Sequence, residues 1–135
     1  MGEFVLNKQL EADTHLVCEL ENCSLRLLDD ARWPWLVLVP RVVGIEEWYD
    51  LTKGQRIMID GEVARVASAL KTMTGCEKTN IATIGNMVRQ LHIHVIARNE
   101  GDANWPGPVW GYGTREPYEP ENTASFIEAF KASFS

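Results

Sequence analysis

No stretch of this 135-residue chain approaches the ~20 apolar residues that a membrane span needs. The N-terminal run Phe4-Val5-Leu6 is too short for the apolar region of a secretory signal, so a cytoplasmic location is expected. Cysteine is scarce and odd in number. Cys18, Cys23 and Cys76 form no disulfide framework, and Cys18 and Cys23 stand too far apart for a CxxC knuckle. They read as small core or surface residues with free thiols. Basic charge is in deficit, with 13 Lys and Arg against 19 Asp and Glu, for a net charge of −6. A net-negative chain repels polyanions at long range, so neither a nucleic acid polymer nor a membrane surface is expected as a partner. A small anionic ligand in a locally positive pocket is still compatible with this charge. Internal repeats and low-complexity tracts are absent.

The composition is that of a globular protein, 45% hydrophobic and 24% charged. The length predicts one domain over 1–135, able to fold without disulfide or metal. Its core is expected over about 3–100, followed by a Trp-, Pro- and Gly-rich loop over 99–121. Residues 15–20 alternate as a strand, Glu21 and Asn22 signal a turn, and 24–28 form the returning strand. The run Trp35-Leu36-Val37-Leu38-Val39 before Pro40 reads as a strand buried on both faces. A short helix is predicted over 45–51. A longer one is predicted over 60–73, with Asp60 as N-cap, Val63, Val66, Ala67 and Leu70 on its apolar face, and Gly75 as its stop. Strands are predicted over 80–84 and 89–97, with a turn at Gly85 and Asn86 between them. A C-terminal helix over 123–134 stacks Phe126, Phe130 and Phe134 at intervals of four, a packing face.

The segment Gln90-Leu91-His92-Ile93-His94-Val95-Ile96 carries the chemistry. On a strand, Leu91, Ile93 and Val95 share the core face, and Gln90, His92 and His94 share the other. Side chains two apart on one face sit roughly 7 Å apart, near enough to act together on one small group. Two imidazoles so placed supply a nucleophile or base and a second donor. The bland alternative is a pair of satisfied core or surface histidines, and the pattern alone weighs the two evenly. A metal site is the other rival, but a strand HxH gives two ligands and a third is needed. His15 and Glu100 are unspecific candidates for it, HxHxDH is absent, and the cupin spacing is missed by one residue.

This segment resembles the signature of the histidine triad (HIT) superfamily, His-φ-His-φ-His-φ-φ with φ apolar. Leu36-Val37-Leu38-Val39-Pro40-Arg41 resembles that family's buried strand, and Gly85-Asn86-Met87-Val88 stands where it has a Gly-containing turn. The nearest likeness is to the bacterial diadenosine tetraphosphate hydrolase-like branch, in which Gln is familiar at the first triad position. It rests on RWPWLVLVPR over 32–41, GNMVRQLHIHVIAR over 85–98 and WPGPVWG over 105–111. The resemblance implies an α+β fold, HIT-like, with an antiparallel sheet of about five strands, one main helix and a C-terminal helix. It also implies a homodimer formed through that helix and an adjoining strand.

The implied activity is hydrolysis or nucleotidyl transfer at the α-phosphate of a nucleoside 5′-phosphoramidate or dinucleoside polyphosphate. His92 would be the nucleophile, forming a covalent nucleotidyl-histidine. His94 would hydrogen-bond a phosphate oxygen, and Gln90 would support the geometry as an amide. For substrate binding the resemblance points to Gly85 and Asn86 in the turn, Asn80 on the preceding strand and Asp29 at the ribose. Trp105 and Trp110 would wall the leaving-group pocket. For Asn80, Trp105 and Trp110 the structural alternative, a strand-end turn residue or a cover for the core edge, weighs about equally, and for Asp29 the ribose contact is preferred to a plain turn residue. Arg41, Arg89 and Arg98 are candidate sources of local positive potential, though each reads more readily as a plain surface charge. No metal or other cofactor is required, and a divalent cation is expected only with polyphosphate substrates. Met87 stands where relatives often use a hydroxyl on phosphate. That departure and Gln90 motivate the alternative of a nucleotide-binding regulatory module with little turnover. A metal-dependent enzyme using the HxH pair ranks third.

Overall fold

The alternating and apolar runs become five antiparallel strands in the computed structural model, which describes residues 2–134. They are β1 (Thr14–Glu19), β2 (Cys23–Leu28), β3 (Trp35–Pro40), β4 (Lys78–Ala82) and β5 (Ile93–Arg98). The strands form one sheet in the order β1-β2-β3-β5-β4, with every neighbouring pair antiparallel. Three helices accompany it: α1 (Lys8–Asp13), α2 (Lys53–Thr74) and α3 (Pro120–Phe134). The α+β expectation therefore holds, with α2 as the main helix and α3 as the C-terminal one.

Both faces of the sheet centre are covered, which is why β3 and β5 are buried along their whole length. On one face Leu36, Leu38, Ile93 and Val95 pack with Ile59, Val66 and Leu70 of α2 and Phe130 of α3. On the other face Trp35, Val37, Val39 and Ile96 pack with Trp33, Leu10 and Val109. The Phe stripe of α3 is a packing face as expected. Phe130 is completely buried, and Phe126 and Phe134 lie against the same core.

Several expected boundaries are corrected. The main helix begins at Lys53, so Asp60 lies inside it and is not its N-cap. The cap is Thr52, whose Oγ1 accepts from Gln55 N at 3.1 Å while Gln55 Oε1 accepts from Thr52 N at 2.8 Å. Gly54 disguised the first turn, but this reciprocal capping box and tertiary packing outweigh its low propensity. Gly75 does end the helix, in the left-handed region at φ 66°. The helix expected over 45–51 shrinks to one 3₁₀ turn, Trp48–Asp50. The short α1 was not expected; it starts where Asn7 Oδ1 accepts from the Gln9 and Leu10 amides. The strand expected from 89 starts at Ile93. Leu91 falls opposite Pro40, which has no N–H, and its own N–H donates to the Ile45 carbonyl at 3.0 Å.

Candidate active site

His94 lies on β5 and His92 just ahead of it, on the sheet face opposite Ile93 and Val95. Their ring centroids are 4.9 Å apart and each residue is 5% exposed. His92 Nδ1 is 2.7 Å from the backbone carbonyl oxygen of Gln90. A carbonyl only accepts, so Nδ1 carries the proton and a neutral His92 keeps its lone pair on Nε2. His94 has the opposite tautomer. Its Nδ1 accepts from Trp35 Nε1 at 2.8 Å, which places the proton of a neutral His94 on Nε2. Two like side chains on one face thus present one lone pair and one donor.

Both imidazoles are held in the neutral form. Burial lowers the pKa of His92, partly countered by its hydrogen bond to Gln90. Burial and the neighbouring His92 pull that of His94 down to about 3. In the unfolded chain each would titrate near ~6.5. Below that pH the unfolded state takes up protons that the folded state refuses, so stability is full above ~6.5 and is lost as pH falls. Between pH ~6.5 and ~5 His94 is expected to contribute a slope approaching ~1.4 kcal/mol per pH unit, and His92 a slope of the same sign. Urea denaturation across that window should show the slope, and it should flatten in His94→Gln. A slope unchanged by His94→Gln would contradict the assignment.

His92 opens into a cavity of about 510 Å³ also lined by Gln90, Gly85, Asn86, Glu46 and Arg89. Four expected site residues therefore meet here. Arg89 is largely exposed and lies 4.0 Å from Glu46. In the turn between β4 and His92, the backbone N–H groups of Gly85, Asn86 and Met87 have no hydrogen-bond partner among the described residues. Such groups are suited to an anion. The Met87 side chain is 94% exposed and takes no part in the cavity wall.

Gln90 requires a correction. Its side chain is turned to the N-terminal segment, where Nε2 donates to the Val5 carbonyl at 2.9 Å and Oε1 accepts from Asn7 N at 2.8 Å. The amide thus anchors that segment beside the cavity, and it is the backbone carbonyl of Gln90 that sets the His92 tautomer.

The other expected residues lie apart from the cavity. Asp29 accepts from Tyr118 N at 2.9 Å and lies 3.2 Å from His15 Nε2, so it fastens the segment leading to α3. Asn80 shares the histidine face of the sheet, but its Oδ1 accepts from Arg98 Nη1 at 3.3 Å. Trp105 lies 5.7 Å from the Arg98 guanidinium. Trp110 packs edge-on against His94 with centroids 5.2 Å apart, and its indole N–H is buried without a partner among the described residues. The expectation of a shared tryptophan wall divides: Trp110 borders the histidines and Trp105 covers an arginine. His15 and Glu100, considered as metal ligands, are held elsewhere. His15 is on the far edge strand, and the Glu100 amide donates to Glu77.

Two residues were missed in their present roles. Trp35 was read only as part of an apolar run, although an indole N–H inside such a run must find an acceptor. Arg98 was read as a surface charge, yet it is 1% exposed. It forms a two-pronged ion pair with Asp102, with Nε–Oδ2 and Nη2–Oδ1 both 2.8 Å, and donates to the Gly107 carbonyl at 2.8 Å. Arg41 is likewise structural, pairing with Glu19 at 2.9 Å across the first hairpin.

The sheet order, the paired imidazoles and the turn before them define a class. Residues 9–101 match the HIT domain, and the chain belongs to the histidine triad family. Among solved structures it is similar to a histidine triad protein from Sinorhizobium meliloti 1021, with 48% identity over 96% of each chain and a TM-score of 0.95. A histidine triad protein from Marinobacter aquaeolei VT8 is 41% identical over 98% of this chain and 97% of that one, with a TM-score of 0.96. One from Bradyrhizobium japonicum is 39% identical over 99% and 100%, also with a TM-score of 0.96. No curated protein matches the chain.

Proposed function

We propose that this histidine triad protein is a nucleotide-binding hydrolase or nucleotidyl transferase. Its substrate class is the nucleoside 5′-phosphoramidates or dinucleoside polyphosphates, as in the diadenosine tetraphosphate hydrolase-like branch. The observation that carries the reading is the Gln90 carbonyl on His92 Nδ1, which leaves Nε2 as the free nucleophilic atom beside the cavity. Nε2 attacks the α-phosphorus, a nitrogen–phosphorus bond forms, and the bond from phosphorus to the leaving nitrogen or oxygen breaks. The leaving group departs with that electron pair and takes up a proton from solvent, which the second step gives back. Water then attacks the same phosphorus, and the nitrogen–phosphorus bond breaks and returns its pair to Nε2. A nucleoside 5′-monophosphate and a proton are released. This divides one difficult displacement into two easier ones. The Nε2–H of His94 is suited to a phosphate oxygen, and the free N–H groups of the turn to another. The protein needs no cofactor for these steps; a divalent ion enters only with a polyphosphate substrate.

The test is turnover of adenosine 5′-phosphoramidate and of diadenosine tetraphosphate, followed by chromatographic release of AMP. Release of AMP from either supports the reading, and the faster substrate becomes the lead. No turnover of either, with AMP still bound, would replace it by the regulatory binding module. That second reading is favoured by one observation, the engagement of the Gln90 amide by the N-terminal segment and not by the cavity. We also infer a homodimer. β4 is an edge strand, and Ile81 on it, Ile57 and Met58 on α2, and Tyr49 are exposed apolar side chains. Light scattering at twice the monomer mass would support this inference, and monomer mass would refute it.

A further inference from the structure

We propose that Trp35 is a positioning residue that locks His94 as a hydrogen-bond donor at Nε2 and denies it any role in relaying a proton. The register of the sheet makes the contact. Val37 of β3 stands directly opposite His94, which puts Trp35, two residues earlier, on the same face as a diagonal neighbour of His94. A long indole spans that diagonal, and Nε1 donates to His94 Nδ1 at 2.8 Å. The imidazole is enclosed by three rings, with centroids at 5.6 Å for Trp35, 5.2 Å for Trp110 and 4.9 Å for His92. Turning the ring over would replace Nδ1 by a carbon and leave the indole N–H unpaired in a buried site, which is strongly disfavoured.

The chemistry of the partner makes the lock one-way. An indole N–H donates and never accepts. A hydroxyl or a second imidazole at position 35 could accept as well, so that the His94 tautomer could invert and a proton could leave through Nδ1. With Trp35 there, Nδ1 is always an acceptor and a neutral His94 always presents Nε2–H. Burial, which keeps His94 neutral, works in the same direction. His92 and His94 are thus divided by their Nδ1 partners: a carbonyl makes one a nucleophile and an indole makes the other a donor.

The assignment of tautomers stands on the structure, and only its kinetic consequence rests on the function proposed above. The test is nitrogen-15 NMR of the histidine side chains. The wild type is expected to show His94 Nδ1 unprotonated and Nε2 protonated, with a scalar coupling across the hydrogen bond from Trp35 Nε1 to His94 Nδ1. Trp35→Phe is expected to give averaged His94 tautomers. Trp33→Phe is the control, because it removes a neighbouring buried indole whose N–H donates to the Ala103 carbonyl, and it should leave the His94 shifts in place. If the reading as a hydrolase holds, Trp35→Phe should lower kcat at least about tenfold with KM changed far less, as loss of an orienting partner does in other His-dependent enzymes. His94 shifts unchanged in Trp35→Phe would overturn the proposal. Should that variant not fold, a wild-type spectrum with Nδ1 protonated, or without the coupling, would do the same. Neither NMR outcome depends on turnover, so a failure of the hydrolase reading shows separately as two inert substrates with the tautomers still as assigned.

Discussion

His92→Ala is expected to lose turnover on the order of 10⁴-fold or more while the protein stays folded. The size follows from the step it removes. Without Nε2 there is no nitrogen–phosphorus bond, and the remaining donors stabilise only a direct attack by water. His94→Ala should cost less, because a donor to a phosphate oxygen is lost while the nucleophile remains. Removal of one such donor typically costs ~10²–10³-fold. Stability should change little in His92→Ala, since the side chain removed is polar, has one hydrogen bond and lines a cavity. Quenching of wild type with phosphorus-labelled substrate in alkaline denaturant, which preserves a nitrogen–phosphorus bond, should trap label on the protein, and none on His92→Ala. Retention of wild-type turnover by the variant would remove His92 from the chemistry altogether.

Arg98→Met is expected to destabilise the fold by roughly 3–5 kcal/mol, the usual cost of breaking a buried ion pair from one side. For a domain of this size that corresponds to a fall in Tm of about 10 °C or more. Arg98 is completely enclosed, and its guanidinium is divided among Asp102, the Gly107 carbonyl and Asn80. Removing it leaves the Asp102 carboxylate without the hydrogen bonds that hold its pKa below the ordinary range. It also frees the loop that carries Trp110, whose ring closes on His94. Calorimetry would therefore be expected to show the loss of stability, and kinetics a lower kcat at temperatures where the variant is still folded. A Tm within about 2 °C of wild type would mean that the ion pair is dispensable.

Trp35 and Arg98 show where sequence reasoning failed. Trp35 was placed in the right element, a buried strand, whereas Arg98 fell one residue beyond the strand expected over 89–97 and belongs to β5. Each was missed as a functional or structural centre because its partner is remote. Trp35 reaches His94 across 59 positions, and the Gln90 amide reaches the Val5 carbonyl across 85. No periodicity encodes such pairs. Asp29 illustrates a related point. A carboxylate after a hairpin strand suits a ribose hydroxyl as well as it suits a backbone amide, and only the path of the segment before α3 put the Tyr118 amide there. The start of the main helix was hidden by Gly54, whose weak propensity was overruled by capping and packing.

What this sequence determined by itself was local. The period of two set His92 and His94 on one face with Ile93 and Val95 on the other, and the apolar run Leu36-Val37-Leu38-Val39 marked a central strand. The spacing of Phe126, Phe130 and Phe134 marked a packed helix. These follow from backbone geometry, which any reader of the chain can apply residue by residue. The tertiary structure decided the rest: which nitrogen of each histidine is free, where the Gln90 amide is held, and that Arg98 is buried. Those properties belong to pairs of groups, and a proton settles on one nitrogen or the other only when the fold brings its partner within hydrogen-bonding distance.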